Sequence, residues 1–143
     1  MRLKGLITCR KFRVVGVMVK ETCPAERFVI SGEKQYQAYR IGLQGFLKRA
    51  ADEGIDRFPS SALHLVNREE GIYEFIKGPL RLLFFKGIEG ELVVCTGGYI
   101  KKGQKADHLI VAEAKRMKRD YLKAKKERTV EVIDEGVANG NAG

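Results

Sequence analysis

The stretch GIYEFIKGPLRLLFFKGIEGELVVCT, residues 71–96, decides how this chain is read. Three apolar runs rich in β-branched and aromatic residues follow one another at 72–76, 80–85 and 91–96. Gly78-Pro79 separates the first two, and the turn from Gly87 to Gly90 separates the second from the third. Connections this short join antiparallel neighbours, because a parallel crossover needs about a dozen residues or more. The stretch therefore predicts an antiparallel meander. Its second and third strands are apolar nearly throughout, so they lie centrally or are covered on both faces.

Upstream, FRVVGVMVK (12–20) is Val-rich and flanked by charge, which predicts a buried first strand. PAERFVI (24–30) predicts a short helix, with Pro24 suited to a first turn and Glu26 near the positive end of the dipole. A second helix is expected from about 32 to 53, with Ser31 as its N-cap and Gly54 as its stop. Tyr36, Tyr39, Leu43, Phe46 and Ala50 recur on one face of it. Gly42 and Gly45 weaken it by about 1 kcal/mol each relative to Ala, and close packing on the sheet is the expected reason. FPSS (58–61) is a connector, and His64 in the alternating LHLV stretch is given no role. Downstream, a helix is expected from Asp107, a natural N-cap, to about 126. Ile110, Ala114, Met117 and Tyr121 form its apolar stripe. Residues 1–128 then make one domain, and 129–143, small and polar, make a disordered tail.

Charge narrows the partners. The chain has 27 Lys and Arg against 18 Asp and Glu, a net of +9 in 143 residues. Three of those acids (Glu131, Asp134, Glu135) lie beyond residue 130, where there is no base, so the first 130 residues carry 27 bases and 15 acids. A basic body of this kind favours a polyanion, since neutralising phosphates releases counterions. Cys9, Cys23 and Cys95 form no CxxC or Cys/His pattern. An odd count without a signal segment predicts free thiols and a cytoplasmic location. Two histidines are too few for a His-based metal site, so neither metal nor cofactor is expected. No apolar run reaches the roughly 20 residues of a membrane span.

Several residues have chemistry to offer. Arg81 opens an otherwise apolar strand, LRLLFF. Its fork suits a phosphate and keeps its charge; an ion pair with Glu74 on the neighbouring strand is the alternative. Lys101, Lys102 and Lys105 crowd what looks like a glycine-containing turn (Gly97, Gly98, Gly103). Close like charges there favour acid or base work near neutral pH, or simply hold phosphates. Gln104 can bond a base or ribose. Tyr99 and Tyr73 are each candidates for base stacking and for the core. His108 is a general-base candidate or an exposed residue of a helix's first turn. Residues 101–128 hold 11 bases and four acids, so Lys115, Arg116 and Arg119 are candidates to lie along RNA phosphates.

The combination of G-I-Y-E-F (71–75), Arg81, G-Y-I-K-K-G-Q-K (98–105) and the Ala-rich basic run Ala112, Ala114, Lys115 and Arg116 resembles the HigB-like, phage-related branch of the RelE/ParE toxin superfamily. CPAERF (23–28) matches the family's C-P-x-E-x-F, and Tyr99 stands where the family more often has Phe. The likeness covers about residues 12–122. It implies a RelE-like α+β fold, with two N-terminal helices and a C-terminal helix packed on a twisted, mainly antiparallel sheet. It also implies a toxin that cuts mRNA on the ribosome without a metal, restrained by a cognate antitoxin protein. On this reading Arg81, Lys101, Lys102, Lys105 and His108 are the catalytic candidates, and Tyr99, Gln104, Lys115, Arg116 and Arg119 the RNA-binding ones. Two alternatives stay open: a ParE-like gyrase poison, and a basic RNA-binding protein without catalysis.

Overall fold

A computed structural model describes residues 1–7 and 11–133. The chain runs β1 (Arg2–Gly5), β2 (Val14–Val17), α1 (Pro24–Ile30), α2 (Gln37–Glu53), β3 (Leu63–Asn67), β4 (Ile72–Lys77), β5 (Leu80–Lys86), β6 (Val93–Ile100), α3 (His108–Glu127) and β7 (Glu131–Ile133), with a 3-10 turn at Lys34–Tyr36. The strands form one seven-stranded sheet in the order β3-β4-β5-β6-β2-β1-β7. The meander expected from residues 71–96 is present: β4 pairs with β5, and β5 with β6, both antiparallel. Gly78, at φ 56°, makes the two-residue turn between β4 and β5.

The RelE-like arrangement expected from the resemblance is not what the chain adopts. Two strands precede the helices, and the sheet is mixed: β2 lies parallel to β6, and β1 parallel to β7. The polar flank around Arg2 and Lys4 hid the first strand; its alternation, RLKG, puts Leu3 inside. The tail expected from 129 begins instead with Glu131–Ile133 paired to Arg2–Lys4, and residues 134–143 lie outside the described residues. Ser31 does not cap α2; it ends α1, its amide and hydroxyl both donating to Arg27 O. Helix α2 starts later than expected, at Gln37, after the loop that Arg40 ties down. That buried guanidinium donates to Glu33 O (2.9 Å), Gly32 O (3.3 Å) and Gln37 Oε1 (3.2 Å).

Each face of the sheet carries its own core. Helices α1 and α2 cover one face, burying Val29, Leu43, Leu47 and Ala50 against Phe75, Leu82 and Phe84. Helix α3 covers part of the other, burying Ala114, Met117 and Tyr121 against Leu3, Val15, Ile72, Leu83 and Phe85. The stripe foreseen on α3 is the one that packs, and Asp107 caps it, accepting from the amides of Leu109 (3.0 Å) and Ile110 (3.2 Å). Of the two helix glycines, Gly42 lies so close to Lys77 that a Cβ would collide with its stem, while Gly45 faces open space. Close packing accounts for the first and not the second.

Tyr121 anchors α3 to the sheet. Its hydroxyl donates to Glu91 Oε1 (2.5 Å) and accepts from the Ile88 amide (2.9 Å), and Lys125 closes on Glu91 at 2.8 Å. Burial, then the Glu91 carboxylate, pushes the phenol far above its ordinary value. Tyr121→Phe leaves Glu91 without that donor, and should cost about 1–3 kcal/mol in urea unfolding at pH 7. Because the folded phenol titrates above the unfolded one, wild type draws this stability below about pH 10 and loses it as pH rises further. The gap between wild type and variant should therefore narrow in alkali; a gap that widens there contradicts this anchoring.

Candidate nucleic-acid site

Residues paired across neighbouring strands share a face. The register pairs His64 on β3 with Glu74 on β4, Ile76 on β4 with Arg81 on β5, and Arg81 with Tyr99 on β6. All lie on the face that α3 covers elsewhere, at the end of the strands beyond the start of that helix. Two polar pairs thus lie on this face, His64–Glu74 across β3 and β4 and Arg81–Tyr99 across β5 and β6, two residues apart along the strands.

Strand β6 runs on through Gly97 and Gly98 to Ile100, so the glycines read from sequence as a turn are strand residues. Gly98 is required by contact: a Cβ there would strike the Phe28 ring of α1 and the Arg81 carbonyl. The bare backbone lets α1 press on the sheet and leaves Tyr99 on the opposite face. Tyr99 is half-buried; burial, then the charge of Glu74, pushes its phenol above the ordinary value. A backbone hydrogen bond from Asp107 and the charge of Arg81 act in the opposite direction. The hydroxyl therefore stays protonated at neutral pH and can donate. Tyr73 points the other way, stacked on Phe84 at 5.4 Å over the α2 core; of the two tyrosines only Tyr99 belongs to this face.

Arg81 is held from one side. Its Nη1 donates to Gly78 O (2.7 Å) and Leu80 O (3.0 Å), and its Nε is enclosed with no hydrogen-bond partner. The ion pair with Glu74 weighed from sequence does not form; Glu74 instead meets His64, Oε2 to Nδ1 at 3.3 Å. Among the described residues Arg81 thus brings a cation to this face without a carboxylate to neutralise it.

Beyond Tyr99 the chain makes a basic loop tied back by the Lys101 amide, which donates to Pro79 O in the β4–β5 turn (2.7 Å). Tyr99, Lys101, Lys102, Gln104, Lys105 and Asp107 line a shallow pocket of about 440 Å³. Four of the sequence candidates, Lys101, Lys102, Gln104 and Lys105, therefore stand with Tyr99 and Arg81 at one end of the sheet. His108 is exposed at the start of α3. Along α3 the picture differs. Arg116 is paired with Glu113 and Asp120, and Arg119 makes a two-pronged pair with Glu70 (2.6 and 3.1 Å). Both arginines therefore sit in surface ion pairs, and Lys115 is half-buried.

Sequence reasoning gave His64 no role and weighed Glu74 only as a partner for Arg81. Alternation in LHLV does put His64 opposite Leu63 and Leu65, but only strand register brings it to Glu74. Glu74 is nearly enclosed, whereas the His64 side chain is 58% exposed. No helix among the described residues is long and apolar enough to cross a membrane. No protein-family model matches the chain, and no curated protein matches it. The resemblance to HigB-like toxins therefore rests on the residues that carry it.

The closeness of Glu74 to Tyr99 can be measured. In wild type, the Tyr99 phenol should titrate above the roughly 10 of free tyrosine, followed by NMR of ring-labelled protein. Glu74→Gln should bring it down, since a neighbouring negative charge is removed. An unchanged titration would mean that the two groups do not face one another.

Proposed function

We propose that the chain is a toxin of the toxin-antitoxin kind that cleaves messenger RNA on the ribosome, working from the open end of the sheet. The observation that carries this reading is the juxtaposition of Arg81, which has no carboxylate partner among the described residues, with Tyr99 and the Lys101–Lys105 loop. RNA brings its own nucleophile, the 2′-OH beside each phosphate. The protein is asked for proton transfer, a group to offset charge on phosphorus, and a grip on the strand. Arg81 offers the cation that a phosphorane needs. Tyr99 offers a donor and a ring for an unstacked base. Lys101, Lys102 and Lys105 offer phosphate contacts, with Gln104 beside them for a base or ribose. The sheet arrangement differs from the RelE-like one, so it lends this reading no support; the site does.

The net charge of +9 also suits a protein that works on ribosomal RNA surfaces. A cognate antitoxin would be acidic where it meets this end of the sheet, by charge complementarity. Expression from a tightly controlled promoter in bacteria, with mapping of mRNA 5′ ends, tests the reading. Wild type should stop growth and create new cuts within translated regions. Arg81→Ala combined with Lys102→Ala should abolish both while the protein still folds. Growth arrest with intact mRNA would point to a poison of another target, and binding without cuts to a non-catalytic RNA-binding protein; either outcome overturns the nuclease.

A further inference from the structure

We infer that His64, oriented by Glu74, is the general base of the site, a role that rests on the nuclease reading above. The two side chains face one another across β3 and β4, 3.3 Å apart, on the same face as Arg81 and Tyr99. Their exposures differ sharply. The carboxylate is 9% exposed and the imidazole 58%. A pair meant only to hold two strands together gains little from a partner left so open, since solvent-exposed pairs contribute about 0–1 kcal/mol. An enclosed carboxylate on Nδ1 does something else. It takes the Nδ1 proton as a hydrogen bond, fixes that tautomer, and leaves Nε2 as a free acceptor turned to solvent. The same carboxylate steadies the imidazolium once Nε2 has taken a proton.

His64 and Arg81 sit two strands apart with a two-residue offset along the sheet, so their backbones are separated by about 12 Å at a strand spacing of about 4.8 Å and a rise of about 3.4 Å per residue. The Arg81 guanidinium leans toward the β4–β5 turn, with Nη1 on Gly78 O (2.7 Å) and Leu80 O (3.0 Å), so the RNA strand rather than a single phosphate spans the distance from His64 to Arg81. In the step, Nε2 of His64 accepts the proton of the 2′-OH, and the 2′-oxygen forms a bond to phosphorus. The bond from phosphorus to the 5′-oxygen breaks. The leaving oxygen takes a proton from water at the open edge, and the imidazolium returns its proton to solvent. The products are a 2′,3′-cyclic phosphate and a 5′-hydroxyl end. Glu74 touches no reacting atom and is a positioning residue.

The test uses the full chain, bacterial ribosomes programmed with a defined mRNA, and single-turnover cleavage. His64→Gln keeps a side chain able to bond Glu74, and His64→Ala opens a space that added imidazole can enter. Both should lower the cleavage rate by about 10²–10⁴-fold. Both should sediment with ribosomes within about twofold of wild type. Added imidazole should restore His64→Ala at least about tenfold and leave wild type and Arg81→Ala unchanged. Glu74→Gln should slow cleavage by about tenfold with the same cyclic-phosphate product. Cleavage by His64→Ala within about threefold of wild type overturns the assignment and leaves the nuclease standing. So does a loss that imidazole does not restore and that comes with loss of ribosome binding. Wild type that cuts no RNA overturns the nuclease itself, and the assignment with it.

Discussion

The parallel pairing of β2 with β6 holds this protein together. Val14, Val15 and Gly16 lie beside Val93, Val94 and Cys95 at the middle of the sheet. On one side of that seam are the early strand pair and β7; on the other is the meander that bears the candidate site. Both faces of the seam are buried, Val14, Val93 and Cys95 under the α1–α2 layer and Val15 and Val94 under α3. Gly16 is needed there because a Cβ would collide with the Cys23 thiol. Parallel strands need a long crossover, and everything from α1 to β5 is contained in this one. The open end of the sheet exists because α3 starts only after β6 has emerged from beneath it.

Two constraints shape the site. Phe28 of α1 lies against Gly98, and a bulge at Thr96, where the β5–β6 register shifts, reverses the alternation of β6 and delivers Tyr99 to the α3 side. The Asp107 cap fixes where α3 begins, and thereby how much of that face stays uncovered. Polar residues can occupy it because their strands are already secured by cores at the other end and on the other face. The enclosed Glu74 and the unbonded Arg81 Nε are local costs, which the two cores on either side of the sheet offset.

Much of this was legible in the sequence, and the rest was hidden for identifiable reasons. The meander, α1, the α3 stripe and the Asp107 cap follow from short-range signals: turn residues, Pro24 in a first turn and 3.6-residue periodicity. The arrangement of the sheet does not. β1 and β7 are three or four residues long, half polar, and paired across almost the whole chain, so neither carries a local pattern strong enough to predict it. Gly97-Gly98 looked like a turn because glycine's usual meaning is conformational; here Gly98 is steric, and its cause, Phe28, is 70 residues away. Arg81, Tyr99 and the lysines were visible by residue type. His64 with Glu74 was not, because a pair made by strand register leaves no spacing in the sequence.

The central claim is that RNA is engaged at the open end of the sheet and not along the basic helix α3, whose arginines are already paired. Ultraviolet crosslinking of the wild-type chain to programmed ribosomes, read by mass spectrometry of the crosslinked peptides, tests it most directly. Crosslinks concentrated at Tyr99 and the 101–105 loop, with His64 as a further contact, are the expected result. Crosslinks confined to the C-terminal end of α3 and its cap, from Lys123 to Arg128, would contradict it and make the basic helix the RNA-binding surface.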